Sequence, residues 1–340
     1  MSRERGSLLH GEAAVGFVRL LVTTAVTIVL LVMPSVLGGY PLVVLSHMLV
    51  LSIACLALNL AYGTAGMLSL GHATYFGVAA YAGAFLYRFS DVDSFELYLL
   101  TGVVCSTIFA AIIGFLCVRH TKIFFSILTL ALSMVVYSLV IDGAIFRLFG
   151  GVGWGLYLLG GGSMYLPRLS ILGKQFDAEE FIPVIYNVIV VAFIASAALL
   201  SRISRSPFGQ ALRAIRDNET RAAFVGIPVR QYRWYAFMIS GFFAGLAGGL
   251  YGQLARQITP DQLHWLFSAQ LVVATVLGGT RHFAGPILGA FAFVGLDEIA
   301  SRWTVGRYSV LGALLIIVVF ALPGGIAAGF AAIRNVVRRH

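Results

Sequence analysis

The run Leu42-Val-Val-Leu-Ser-His-Met-Leu-Val-Leu-Ser-Ile-Ala-Cys-Leu-Ala-Leu-Asn-Leu-Ala-Tyr62 decides the fold. It holds no Asp, Glu, Lys or Arg. At about 1.5 Å of helical rise per residue it matches the roughly 30 Å hydrocarbon core of a bilayer. Working outward, segments of the same character lie at 17–37, 66–87, 97–118, 123–140, 183–201, 233–254, 266–279, 284–300 and 308–327. The chain therefore reads as an all-α, polytopic membrane protein of about ten transmembrane helices. Composition agrees: 59% of the 340 residues are hydrophobic and 11% are charged, against roughly 25% charged in a soluble domain. The mean hydropathy is +0.93.

Arg3, Arg5 and Arg19 precede the apolar stretch from Leu20 to Val36, as in a signal peptide. No small-residue cleavage pattern follows, so an uncleaved first span is expected. The net charge of +9 does not point to nucleic acid, because only Lys122 and Lys174 are lysines and no basic stripe with interleaved aromatics occurs. Topology explains the charge better. With the N-terminus inside, Arg119, Lys122, Arg202, Arg205, Arg213, Arg216, Arg221, Arg230, Arg233, Arg281, Arg334, Arg338 and Arg339 join the first three arginines on the cytoplasmic side. The outer loops hold most of the acids, including Asp91, Asp93, Glu96, Asp177, Glu179 and Glu180. This bias predicts an even number of spans with both termini cytoplasmic. Cys55, Cys105 and Cys117 lie inside apolar runs at irregular spacing and read as small buried hydrophobes, with no disulfide framework or metal pattern.

One membrane domain covers 1–340, with a hydrophilic segment on each face. The outer one, 141–182, carries Gly150-Gly-Val-Gly-Trp-Gly155, Gly160-Gly-Gly162 and Pro167, and reads as a periplasmic loop with room for a short interfacial helix. The inner one, 202–233, is a long basic loop. A further echo links Asn59 to Ala79, broken at Gly63, Gly66 and Gly71, with Val276 to Ala292, broken at Gly278-Gly279 and Gly285-Pro286. An inverted repeat would produce such an echo.

Within the inner loop, Ser206 is placed to cap a helix whose first residue is Pro207. Phe208, Leu212, Ile215, Ala222 and Val225 fall near one face, and Gly226 and Pro228 stop the helix. The result is a short amphipathic helix, or two, beneath the membrane. Such a helix either rests on anionic lipid or fits a groove on a cytoplasmic partner. The mixed patch Asp217-Asn218-Glu219 favours the partner.

Ser206 to Gly226, followed by Ala236-Phe-Met-Ile-Ser-Gly-Phe-Phe-Ala-Gly-Leu-Ala-Gly-Gly-Leu250, resembles the permeases of branched-chain amino acid ABC importers, in particular the longer M-type subunit. Asn59-Leu-Ala-Tyr-Gly-Thr-Ala-Gly-Met-Leu-Ser-Leu-Gly-His72 and Val276-Leu-Gly-Gly-Thr-Arg-His-Phe-Ala-Gly-Pro286 are similar to two further signatures of that family, in the same order. The resemblance implies a subunit of a bacterial inner-membrane importer. It also implies a second permease subunit, two cytoplasmic ATPase subunits carrying ATP and Mg, and a periplasmic substrate-binding protein. The implied cargo is a branched-chain or other amino acid, with urea, amides or small aromatic acids carried by related systems. Ser206, Pro207, Phe208, Gly209, Arg213, Arg216, Asp217, Asn218, Glu219 and Gly226 become the expected coupling residues. The family's Glu-Ala-Ala to Gly pattern is altered, since Thr220-Arg221 separates Glu219 from Ala222-Ala223 and the spacing to Gly226 is one residue short.

Asn59, Gly63, Gly66, Ser69, Gly71 and His72 are the expected translocation-path residues, because glycines at this density suit a helix break at membrane depth. Close helix packing by small residues is the competing reading, and a hydrogen-bonded structural role competes for His72. Gly241, Gly245, Gly248, Gly249 and Gly252 form a small-residue stripe read as a packing face. Asp297 and Glu298 are expected at an interface. Gly173-Lys174-Gln175 fails the phosphate-loop pattern and no metal-ligand run occurs, so no cofactor is expected in this chain. An ion-coupled transporter or channel acting alone stays open as the alternative, although it calls for intramembrane carboxylates that the spans almost lack.

Overall fold

The computed structural model describes residues 24–90, 93–120, 122–141, 163–301, 307–321 and 324–329. Both termini, the glycine-rich part of the outer loop (150–162), Asp91 and Arg302 lie outside the described residues.

Ten helices correspond to the ten expected spans: α1 (Thr24–Val36), α2 (Tyr40–Asn59), α3 (His72–Ser90), α4 (Phe95–Cys117), α5 (Lys122–Ile141), α6 (Ala178–Arg205), α9 (Val229–Ala255), α10 (Trp265–Gly278), α11 (Gly285–Ser301) and α12 (Arg307–Ala321). Two short helices, α7 (Pro207–Asp217) and α8 (Glu219–Phe224), fill the inner loop. The helix ends show that this loop is 206–228, shorter than expected. Among the described residues, five helical stretches are long and apolar enough to cross a membrane by themselves. At 14, 17 and 15 residues, α10, α11 and α12 rise only about 21 to 26 Å.

From Leu49 to Asn59 every residue of α2 is buried, as expected of a helix apolar all round. It packs against α6, α9, α10 and α11. The stripe on α9 lets neighbouring backbones come close. A Cβ added at Gly241 would meet Ala110, at Gly245 Ser106, and at Gly248 the backbone of Phe76. Thus α9 seats α3 and α4 on one small-residue face.

The third span departs from expectation. After α2 the chain makes a π turn (Leu60–Thr64), reverses at Gly66 with φ 73°, runs non-helically through Met67 to Leu70, and becomes helical only at His72. The non-helical backbone is satisfied from outside: Ser126 donates to the Leu68 carbonyl (2.7 Å), and the Leu70 N–H donates to Thr129 (3.3 Å). Both partners sit on α5, so the break is buried in protein, the condition for irregular backbone at membrane depth. His72 lies beside Ser240, eleven residues beyond Val229 at the start of α9, about 16 Å from that end of the helix.

The two glycine-broken turns meet at the same end of the molecule. A Cβ at Gly63 would come within 2.8 Å of the Thr280 carbonyl. An inverted repeat would carry its matching turns to opposite ends, so this echo is one of turn chemistry. Just beyond the C-terminal end of α9, Met164–Tyr165 (β1) pairs antiparallel with Gln257–Ile258 (β2). Gln253 donates to the Pro167 carbonyl (3.0 Å), fastening the outer loop to α9.

Candidate functional site

The inner loop is built as two capped helices. Ser206 accepts from the Gly209 N–H (3.4 Å) and Pro207 opens α7. Asn218 closes α7 in an extended conformation and accepts from the Arg221 N–H (2.9 Å), which starts α8. This second cap resets the helical phase. Phe208, Leu212, Ile215 and Ala222 therefore turn inward, and Phe208 stacks on Tyr232 at 5.3 Å. Val225 does not share their face: it follows α8 and is 82% exposed, next to Phe224 at 86%.

Two arginines tie these two short helices to the long helices of the bundle. Arg216 donates to the Gly63 carbonyl (2.5 Å) at the π turn and pairs with Asp217 (3.2 Å). Gly66 packs on the Arg216 side chain, where a Cβ would lie 2.8 Å from Cγ. Arg233, only 4% exposed, reaches Glu219 (3.4 Å) and donates to the His120 carbonyl (3.1 Å) between α4 and α5. Motion of α7 and α8 thus has two side-chain routes into the bundle. Arg213 is spent locally on the Ser204 carbonyl (2.7 Å). Arg233 was read from the sequence only as a loop charge. Its burial beside an acid fourteen residues away is visible only in three dimensions.

Of the six expected path residues, Asn59 and Gly63 line an inner cavity of about 410 Å³, which Arg213, Arg216 and Arg281 also line. Ser69, Gly71 and His72 are instead buried among helices, and Gly66 is at the surface against Arg216. His72 Nε2 lies 2.7 Å from the Ser240 hydroxyl, which donates its proton to the Ala57 carbonyl (2.5 Å). The hydroxyl proton is committed, so Nε2 must carry the imidazole proton. His72, Ser240 and Ala57 then join α3, α9 and α2 in one hydrogen-bonded chain. Replacing Ser240 by alanine leaves the buried His72 N–H without its acceptor, a cost of about 1–3 kcal/mol. Thermal unfolding in detergent is expected to show that loss, with Ser240→Thr near wild type.

Asp297 and Glu298 border a second cavity, of about 320 Å³, with Tyr40, His47 and Tyr251. Tyr40 donates to Glu298 (2.7 Å), joining α2 to α11.

Residues 40–336 match the family described as branched-chain amino acid transport system / permease component. The chain belongs to this family. One relative, the high-affinity branched-chain amino acid transport system permease protein LivM of Escherichia coli (strain K12), is 23% identical over 291 residues, covering 80% of this chain and 66% of the relative. The guanosine ABC transporter permease protein NupQ of Bacillus subtilis (strain 168) is 32% identical over 152 residues, covering 44% and 42%. The chain spans just under two thirds of the length of the LivM relatives it matches. In this permease-family member, the signature around Gly63 and the one around Thr280 are in contact, and the inner-loop signature closes on the first through Arg216.

Proposed function

We propose that the chain is a transmembrane permease subunit of an ABC importer in a bacterial inner membrane. Separate ATPase subunits, binding ATP and Mg, drive it through alternating access, and the chain itself hydrolyses nothing. A second permease subunit and a periplasmic substrate-binding protein complete the assembly. The cargo is a branched-chain or related amino acid, as the printed functions of the LivM relatives suggest.

One observation carries this reading beyond family membership: a cytoplasmic tip that exposes Phe224 and Val225 to solvent while its arginines are anchored in the bundle. A lone apolar pair on a capped, rigid helix end is suited to a partner's groove. Asn59 and Gly63 are assigned to the inner mouth of the translocation path, with Gly66, Ser69, Gly71 and His72 holding the broken helix behind it. Phe224→Ser is expected to weaken retention of the ATPase subunits by about tenfold or more, the scale of an interface hot spot. Quantitative co-purification in mild detergent reads this. Undiminished ATPase retention by Phe224→Ser and Val225→Ser together would remove the docking assignment.

A further inference from the structure

The inner cavity between the ends of α2, α6 and α7 and the α10–α11 turn has a chemistry that the importer role does not account for. Its polar lining comes from Asn59, Thr64, Ser204, Arg213, Arg216, Thr280 and Arg281, and no carboxylate lines it among the described residues. Arg216 is partly neutralised by Asp217, whereas Arg213 has only the neutral Ser204 carbonyl. Arg281 makes no hydrogen bond or ion pair with the described residues. A site with surplus guanidinium charge and no opposing carboxylate among its described lining residues is an anion receptor. No carboxylate among the described lining residues can hold a cargo's ammonium group, so a cavity at the mouth of the path would let an amino acid pass without binding it. A second cavity of about 410 Å³ shares Thr280 and Arg281 and adds His282, which extends the basic surface around the same turn.

We propose that this cavity binds a phosphate group, supplied either by an anionic phospholipid headgroup or by free phosphate. Phosphate oxygens match the planar fork of arginine in two-point contacts. Basic pockets between transmembrane helices at the cytoplasmic surface receive anionic headgroups, and this pocket lies where α2, α6, α10 and α11 end or begin.

The test uses the full chain purified in a neutral detergent, with phosphatidylglycerol, phosphatidylcholine and sodium phosphate as probes. Native mass spectrometry reads retained lipid and thermal unfolding reads stabilisation. Phosphatidylglycerol or sodium phosphate is expected to stabilise the chain where phosphatidylcholine does not. Arg281→Gln should weaken that effect by about tenfold, the scale of one charge-assisted contact. Lys174→Gln, on the outer face, should leave it unchanged. Arg281→Lys keeps the charge without the fork and should fall between, and it carries the test if the glutamine variant fails to fold. Displacement of phosphatidylglycerol by millimolar sodium phosphate assigns the site to free phosphate; retention assigns it to lipid. Equal behaviour of all probes, or wild-type behaviour of both Arg281 variants, would overturn the proposal. So would Arg281→Gln that loses ATPase subunits while keeping phosphatidylglycerol, since the pocket would then be a protein contact.

Discussion

Gly248→Ala is expected to destabilise the chain, while Gly249→Ala, one residue on, is expected to be neutral or stabilising. Both exchanges gain about 1 kcal/mol of helix propensity, so their difference isolates packing. At Gly249 the new Cβ meets only the end of the Leu99 side chain (2.7 Å), which rotates away cheaply. At Gly248 it meets the Phe76 backbone, with the carbonyl carbon at 2.6 Å and Cα at 2.8 Å, and backbone has no rotamer to yield. Prising α3 from α9 also strains the His72 to Ser240 hydrogen bond (2.7 Å). An overpacking cost at the top of the usual range of about 1–3 kcal/mol is expected. Leucine at 248 should abolish recovery of monodisperse protein. Equal melting temperatures for the two alanine variants would mean that the stripe does not seat α3.

Arg216→Gln is expected to cut ATP-driven uptake by about 5–150-fold, the range that one coupling interaction of 1–3 kcal/mol spans. The fold should survive, because Arg216 is partly exposed and the Gly63 it serves lines a cavity rather than a packed helix contact. ATPase subunits should still bind, since Phe224 and Val225 are untouched. Their hydrolysis should continue without matching transport. Glu219→Gln cuts the other route, through Arg233 and His120. The double variant should lose more than either single one if the routes act in parallel. Normal uptake by Arg216→Gln would show that the α7 to α2 contact transmits nothing.

The spans were legible because lipid demands a long apolar run wherever the chain crosses. The start of α3 was not. Met67, Leu68 and Leu70 are as apolar as a helix requires, so hydropathy extends the third span back to residue 66. The helix begins at His72 because Ser126 and Thr129, about sixty residues away, take over the backbone hydrogen bonds. Helical phase puts Val225 on the inward face, but α8 ends at Phe224, so Val225 lies past the helix and turns outward. The short helix after Ser206 was legible from its cap, proline and glycine stop. Its anchors were not: Arg216 and Gly63 are 153 residues apart in sequence. The pairing of Met164 with Ile258 had no sequence signal at all.

The central claim is that uptake through this chain is driven by ATP hydrolysed on other subunits. Proteoliposomes containing the chain, its partner permease and the ATPase subunits, with binding protein and labelled leucine outside, test it most directly. Accumulation that requires ATP on the ATPase side, and that vanishes when the ATPase subunits are omitted, is the predicted result. Concentrative uptake by the chain alone, driven by an ion gradient without ATP, would contradict it.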